Sequence, residues 1–265
     1  IEEPEETDWV KFVKVRSELL SDFHGRDVFM RAGVLLPSGY AEETDREYPA
    51  YYVVPGFGGR HVSLPKRAKR DKDAWEAWTE GTNPYHGFEI VLDPDMPLGH
   101  SVFADSANNG PVGEALTTEL IPAIEEEFRI IPEASARFVG GHSSGGWSSL
   151  WLQVAYPDFF GGCWSTAPDP VDFRAFQTMN LYEDTNAHWT PTGQPRPVGR
   201  KRHEVMLLFT SFNHYEYVLG WGGQLDSFDG VFSPRGEDGM PLRVMDKLTG
   251  TIDHEVVEYW EKYDI

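Results

Sequence analysis

The stretch Gly141-His142-Ser143-Ser144-Gly145 constrains this chain more than any other. It has G-x-S-x-G spacing and lies between a strand-like run, Ala136-Arg137-Phe138-Val139-Gly140, and a segment with Trp147, Leu150, Trp151 and Val154 at helical spacing that stops at Tyr156-Pro157. A sharp strand-to-helix turn needs glycine on either side of the serine, because a Cβ there would collide with the neighbouring strand or helix. A helix starting at Ser144 aims its N–H groups and positive dipole end at the serine, which favours negative charge on a carbonyl oxygen. Ser143 is therefore the candidate nucleophile for acyl transfer, and the Ser144 N–H a candidate oxyanion donor. Alone, the pattern is also that of a Gly/Ser-rich turn without chemistry; the strand before it and the helix after it favour the nucleophile. His142, adjacent to Ser143 and directed away from it, is read as packing.

An oxyanion hole needs a second backbone N–H, from the loop after the third strand. Val54-Pro55-Gly56-Phe57-Gly58-Gly59 follows the apolar run Tyr48 to Val54 directly, so Phe57 or Gly58 is the second donor expected. Ahead of it, Val10 to Val15 and Val28 to Leu36 alternate like half-buried antiparallel strands, whereas Tyr48 to Val54 and Phe88 to Leu92 are short continuous apolar runs of the parallel-sheet kind. Leu116, Leu120, Ile121, Ile124 and Phe128 recur at helical spacing, with Pro122 expected to kink or restart that helix. Antiparallel strands leading into alternating parallel strands and helices predict one α/β domain over residues 1–265.

Composition narrows the partners. The 43 acidic and 23 basic residues give a formal charge of −20, which repels nucleic acid and anionic membranes at long range. The basic cluster Pro65 to Lys72 is read as a solvated helix face. A lone cysteine, Cys163, excludes an internal disulfide framework and is expected to be a small core residue. No apolar stretch approaches the ~20 residues that span a bilayer. No H-E-x-x-H or similar ligand spacing calls for a metal. The start at Ile1 without Met, followed by the acidic leader up to Asp8, fits a processed secreted or periplasmic protein better than a cytoplasmic one. Oligomeric state is left open.

The two glycine motifs, the run Tyr48 to Gly59 and the segment Glu119-Leu120-Ile121-Pro122-Ala123-Ile124-Glu125 resemble the putative-esterase family, which includes esterase D, feruloyl esterases, enterochelin esterases and the mycolyltransferases. The resemblance covers about residues 25 to 170. It implies an α/β-hydrolase fold: a mostly parallel sheet with antiparallel N-terminal strands, helices on both faces and a long insertion or lid after the sixth strand. It also implies no metal or organic cofactor, and a Ser-His-Asp/Glu triad acting through an acyl-enzyme. The expected substrate is a small-molecule or carbohydrate-linked ester; Trp147, Trp151, Trp164 and Trp189 bracket the site in sequence, although the first two have core spacing. Ser106 to Pro111, also family-like, is read as a loop and helix cap. An acyltransferase shares every motif, and a non-catalytic binding module of the same fold is the alternative from another class.

The base and acid are less defined. Of the four histidines after Ser143, His188 lies in a Pro/Gly-rich excursion, His203 opens a strand-like run and His214 closely follows that run. One reading makes Val205 to Phe209 the strand before the acid, with Glu216, Asp226 or Asp229 as that acid and His254 as base ahead of a final helix, Val256 to Tyr263. The other, preferred, treats about 171–262 as an insertion or lid and expects the acid- and histidine-bearing strands beyond Ile265.

Overall fold

A computed structural model describes residues 4–265; of the acidic leader, Ile1 to Glu3 lie outside the described residues. The fold divides into two compact units. The first runs to Asp95 and adds Val102–Asp105 and Gly110–Pro168; the second comprises Met96–Ser101, Ser106–Asn109 and Asp169–Ile265.

In the first unit, β1 (Val10–Ser17) pairs antiparallel with β2 (Val28–Leu35) around the short helix α1 (Glu18–His24). Ser17 caps α1 by accepting from the Leu20 N–H at 3.0 Å, and Gly25 ends it at φ 62°, a left-handed conformation that glycine adopts without penalty. β3 (Ala50–Val54), the helices α2 (Leu64–Ala68) and α3 (Lys72–Thr79), and β4 (Phe88–Leu92) follow. After α4 (Val112–Ala115), a π-helical turn over Leu116–Leu120 leads into α5 (Ile121–Glu127). Pro122 lacks an N–H for a regular helical bond, and at the place where a kink or restart was expected the helical run passes through this π turn.

β5 (Arg137–Ser143), α6 (Ser144–Ala155) and β6 (Gly162–Pro168) complete the unit. Among the described residues the main sheet has six strands in the order β1-β2-β4-β3-β5-β6. β2 meets β4 antiparallel, while β4, β3, β5 and β6 run parallel. This is the α/β-hydrolase arrangement expected, with antiparallel strands first and a parallel core after them.

Strand alternation sends successive side chains to opposite faces. From β3, Val53 packs with Val10, Leu35, Leu64 and Val91 on the α2 side, flanked by Tyr51, Trp75 and Trp78. Tyr52 points the other way, its hydroxyl donating to Glu125 on α5 at 3.3 Å. Helices therefore cover both faces. Lys66, Lys69, Arg70 and Lys72 of the basic cluster are exposed, as a solvated face requires. Cys163 is half-buried rather than a core residue, because β6 is the last strand of the sheet and packs on one edge only.

The second unit has an aromatic core in which Phe173, Phe176, Phe232 and Trp260 lie edge to face with ring centroids 5.2 to 6.0 Å apart. Its elements are an antiparallel ribbon of β7 (Pro197–Lys201) and β8 (Glu204–Leu208), then α7 (Phe209–Leu219), α8 (Gln224–Phe232) and α9 (His254–Trp260). Asn108, from the segment read as a loop, is buried here with its Nδ2 donating to the Ser233 carbonyl at 2.9 Å.

A buried ion cluster ties α7 and α8 to the loop before α9. Lys247 Nζ lies 3.0 Å from both Glu216 and Asp226, and Arg243 bridges Asp226 at 2.5 Å. Burial pushes the Asp229 carboxyl up to about 7 from an ordinary 3.8, against the pull of Lys247, the Val244 N–H and Arg243. A carboxyl whose folded pKa is raised stabilises the fold below its unfolded pKa and loses that contribution as pH rises through the folded value. Asp229→Asn keeps the acceptor for Val244 and removes the titration. Urea unfolding at pH 5 and pH 8 should show the variant gaining on the parent at pH 8; an equal difference at both pH values contradicts this.

Candidate active site

β5 ends at Ser143 and α6 begins at Ser144, leaving no loop between strand and helix. Ser143 takes φ 59° and ψ −125°, outside the regions a non-glycine residue normally occupies. Two glycines allow this turn to close. A Cβ on Gly145 would sit 1.9 Å from the Val54 carbonyl oxygen, and one on Gly141 would sit 2.3 Å from the Gly145 oxygen. Small residues then let α6 lie close to β6: a Cβ on Gly146 would be 2.9 Å from the Pro168 Cα, and Ser165 Oγ donates to the Gly146 carbonyl at 2.9 Å.

Beside this turn stands the loop after β3. Gly59 N–H donates to the Gly56 carbonyl at 2.9 Å, and Gly58 has φ 78°, which makes Gly56–Gly59 a type II turn with its obligatory positive-φ residue in third place. A Cβ on Gly56 would lie 3.4 Å from Ser143 Cβ and 3.1 Å from the His142 carbonyl, so the turn springs from a backbone in contact with the serine. Gly56 is glycine because of that approach.

On the α2 side of the same strands lies a cavity of about 380 Å³ walled by Tyr51, Val53, Pro55, Gly56, Arg67 and His142 among others. Burial, with Glu89 adding to it and Arg67 opposing, raises the Tyr51 phenol, which stays a hydrogen-bond donor. His142 is exposed on this cavity wall instead of packed. Trp164 on β6 is 57% exposed and meets Tyr51 edge to face at 6.0 Å. Trp147 is buried and stacks on Trp151 at 5.4 Å, as its spacing predicts, and Trp189 is exposed.

The remaining sequence candidates belong to the second unit. Glu216 and Asp226 hold Lys247, and Asp229 accepts from the Val244 N–H at 2.9 Å; none of the three is hydrogen bonded to His254. His254 is the first residue of α9, whose cap is Asp253, and lines a cavity of about 720 Å³ with Arg243, Asp246 and Lys247. His188 is buried, its Nε2 3.1 Å from Asn213 Nδ2, and burial followed by the neighbouring His214 lowers its pKa. His214 Nε2 meets the Leu248 carbonyl at 3.1 Å, and His203 is exposed at the ribbon turn. Val205 to Leu208 is a strand, yet it pairs with β7 and not within the main sheet.

A group that sequence reasoning passed over lies at the far end of the loop. His61 is buried with Nδ1 2.9 Å from Asp93 Oδ2, and Arg60 reaches the same oxygen at 2.8 Å and Asp95 at 2.5 Å. The pair has no local sequence pattern, because the His61-to-Asp93 adjacency comes from the neighbouring of β3 and β4. Among the described residues no three His, Cys, Asp or Glu side chains are grouped to hold a metal ion, and no helix is long and apolar enough to cross a membrane.

Solved structures similar to this chain include a ferulic acid esterase, 17% identical over 60% of this chain and 58% of that one with a TM-score of 0.50. They also include an S-formylglutathione hydrolase from Agrobacterium tumefaciens, 17% identical over 63% and 60% with a TM-score of 0.47. A CE1 ferulic acid esterase from Anaeromyces mucronatus is 20% identical over 65% and 62%, with a TM-score of 0.42. The chain thus spans under two thirds of the length of each. For the first of these, at 17% identity and a TM-score of 0.50, the likeness is one of fold. No curated protein matches in sequence. The Esterase family, described as Putative esterase, matches residues 27–222, which is more than half of the chain and includes both glycine motifs, and the chain belongs to that family.

Proposed function

We propose that this chain is a serine carboxylic-ester hydrolase with Ser143 as nucleophile. The observation that carries the reading is the backbone of Ser143: a strained φ of 59° on a strand-to-helix turn where Gly141 and Gly145 are sterically obligatory. Strain of this kind persists only where the surroundings enforce it, and it marks functional positions. Family membership supports the same reading.

Ser143 Oγ attacks the ester carbonyl, its proton passing to a general base, and the carbonyl π electrons move onto oxygen. The N–H of Ser144, at the start of the twelve-residue α6, and that of Phe57 or Gly58 receive this oxyanion. Collapse expels the alcohol and leaves an acyl-Ser143 ester, which water then hydrolyses. The substrate proposed is a small-molecule or carbohydrate-linked ester, with the exposed Trp164 beside Tyr51 as an aromatic contact for it. The protein with p-nitrophenyl acetate should release p-nitrophenol in excess of the buffer rate and, on acid quench, carry one acetyl group. Release at the buffer rate would overturn the reading.

A further inference from the structure

We propose that Arg60, His61 and Asp93 are positioning residues that hold the Gly56–Gly59 turn where its N–H meets the oxyanion. The proposal rests on the reading of Ser143 as nucleophile. The turn has little to hold it from outside. Phe57 is 40% exposed, and nothing lies within 4 Å of where a Cβ on Gly58 would be. Its place is therefore set from its two ends. One end is the C-terminus of β3. The other is the Arg60–His61 segment, whose side chains converge on one oxygen of Asp93, the residue that follows β4.

Each part of this anchor is fixed in turn. Asp93 N–H donates to the Arg31 carbonyl of β2 at 3.0 Å, which fixes its backbone on the sheet. Burial alone would raise the Asp93 carboxyl, but hydrogen bonds from His61 and Arg60 outweigh it and hold the carboxyl below its ordinary range. Ser63 Oγ donates to the Arg60 carbonyl at 2.7 Å, closing the turn of chain behind the anchor. Gly33 of β2 leaves room for it, since a Cβ there would be 2.9 Å from the His61 carbonyl oxygen.

His61 is not placed to act as the base. Its ring lies 6.0 Å from Phe12 on β1 and its carbonyl against β2, and β2 is three strand positions from β5. At about 4.8 Å per strand that is roughly 14 Å, far beyond a hydrogen bond to Ser143. An anchor of this kind acts on catalysis only through the loop it holds. Misplacing a catalytic group by about 1 Å costs on the order of 10²-fold.

The test uses Asp93→Asn, His61→Leu and His61→Asn in the full chain, the last keeping an N–H donor near the place of Nδ1. Each is checked for folding by urea unfolding, and its kcat and KM for p-nitrophenyl acetate are measured with amide hydrogen exchange over residues 55–63. Asp93→Asn and His61→Leu should lower kcat by about 10- to 100-fold with KM within about twofold, and speed exchange at Phe57 to Gly59. His61→Asn should recover most of both. An active parent whose variants keep kcat, or lose it with exchange unchanged, overturns this proposal and leaves the Ser143 reading intact. A parent that turns over no ester overturns that reading and the catalytic role of the anchor with it.

Discussion

Ser143→Ala should fold like the parent and lose at least about 10⁴-fold in kcat/KM for p-nitrophenyl acetate, the order expected when a nucleophile acting through an acyl-enzyme is removed. The substitution deletes one oxygen from a half-buried side chain, so stability measured by urea unfolding should move little. It also leaves the oxyanion donors in place, because the Ser144 and Phe57 or Gly58 N–H groups belong to the backbone. The residual rate is then what the donors and binding supply without covalent chemistry. Acid-quenched variant should carry no acetyl group. An active, acetylated Ser143→Ala would mean that a different residue is acylated.

Gly145→Ala should leave little folded protein. The added methyl carbon falls 1.9 Å from the Val54 carbonyl oxygen, 2.8 Å from its carbon and 2.9 Å from the Pro55 oxygen, all backbone atoms at the end of β3. Neither β3 nor α6 has a flexible side chain to yield at that point. Overpacking against movable side chains already costs roughly 1–3 kcal/mol, and a clash with a central strand should exceed about 3 kcal/mol, a large part of the 5–15 kcal/mol that holds a typical protein folded. Gly162→Ala on β6 is the matched control: its Cβ would meet only Phe138 Cδ1, at 3.7 Å. That variant should stay within about 1 kcal/mol of the parent. Equal soluble yields and equal urea midpoints for the two variants would contradict the packing described here.

The contrast between these glycines shows what was legible in the sequence. A serine flanked by glycines between an apolar run and a helical one encodes a local geometry, and the chain takes that geometry at Ser143. Short apolar-rich strands were equally readable: in Phe88–Leu92 four of the five side chains are buried, and the one polar position, Glu89, pairs with Arg67. Val205–Leu208 has the same signature but pairs in a two-stranded ribbon, since a short apolar run carries no information about its partner. Glu216, Asp226 and Asp229 looked alike as acids; the difference comes from Lys247, which lies 31 residues beyond Glu216 in the chain. His61 and Asp93 are neighbours only because β3 and β4 run side by side, a tertiary fact with no local pattern. The half-buried place of Cys163 has no local signal, because position in a strand does not reveal which strand is last in a sheet; His142 lies on an inner strand and its exposure comes from the cavity it faces.

The most direct measurement is the site of covalent modification. The chain is incubated with a fluorophosphonate probe, digested with trypsin and fragmented to locate the adduct within the peptide that runs from Phe138 to Arg174. A single phosphonyl group on Ser143, absent in Ser143→Ala and prevented by prior incubation with p-nitrophenyl acetate, is the predicted result. Absence of labelling in the folded parent, or a label on Ser144, Ser148 or another serine that persists in Ser143→Ala, would contradict the assignment of Ser143 as nucleophile.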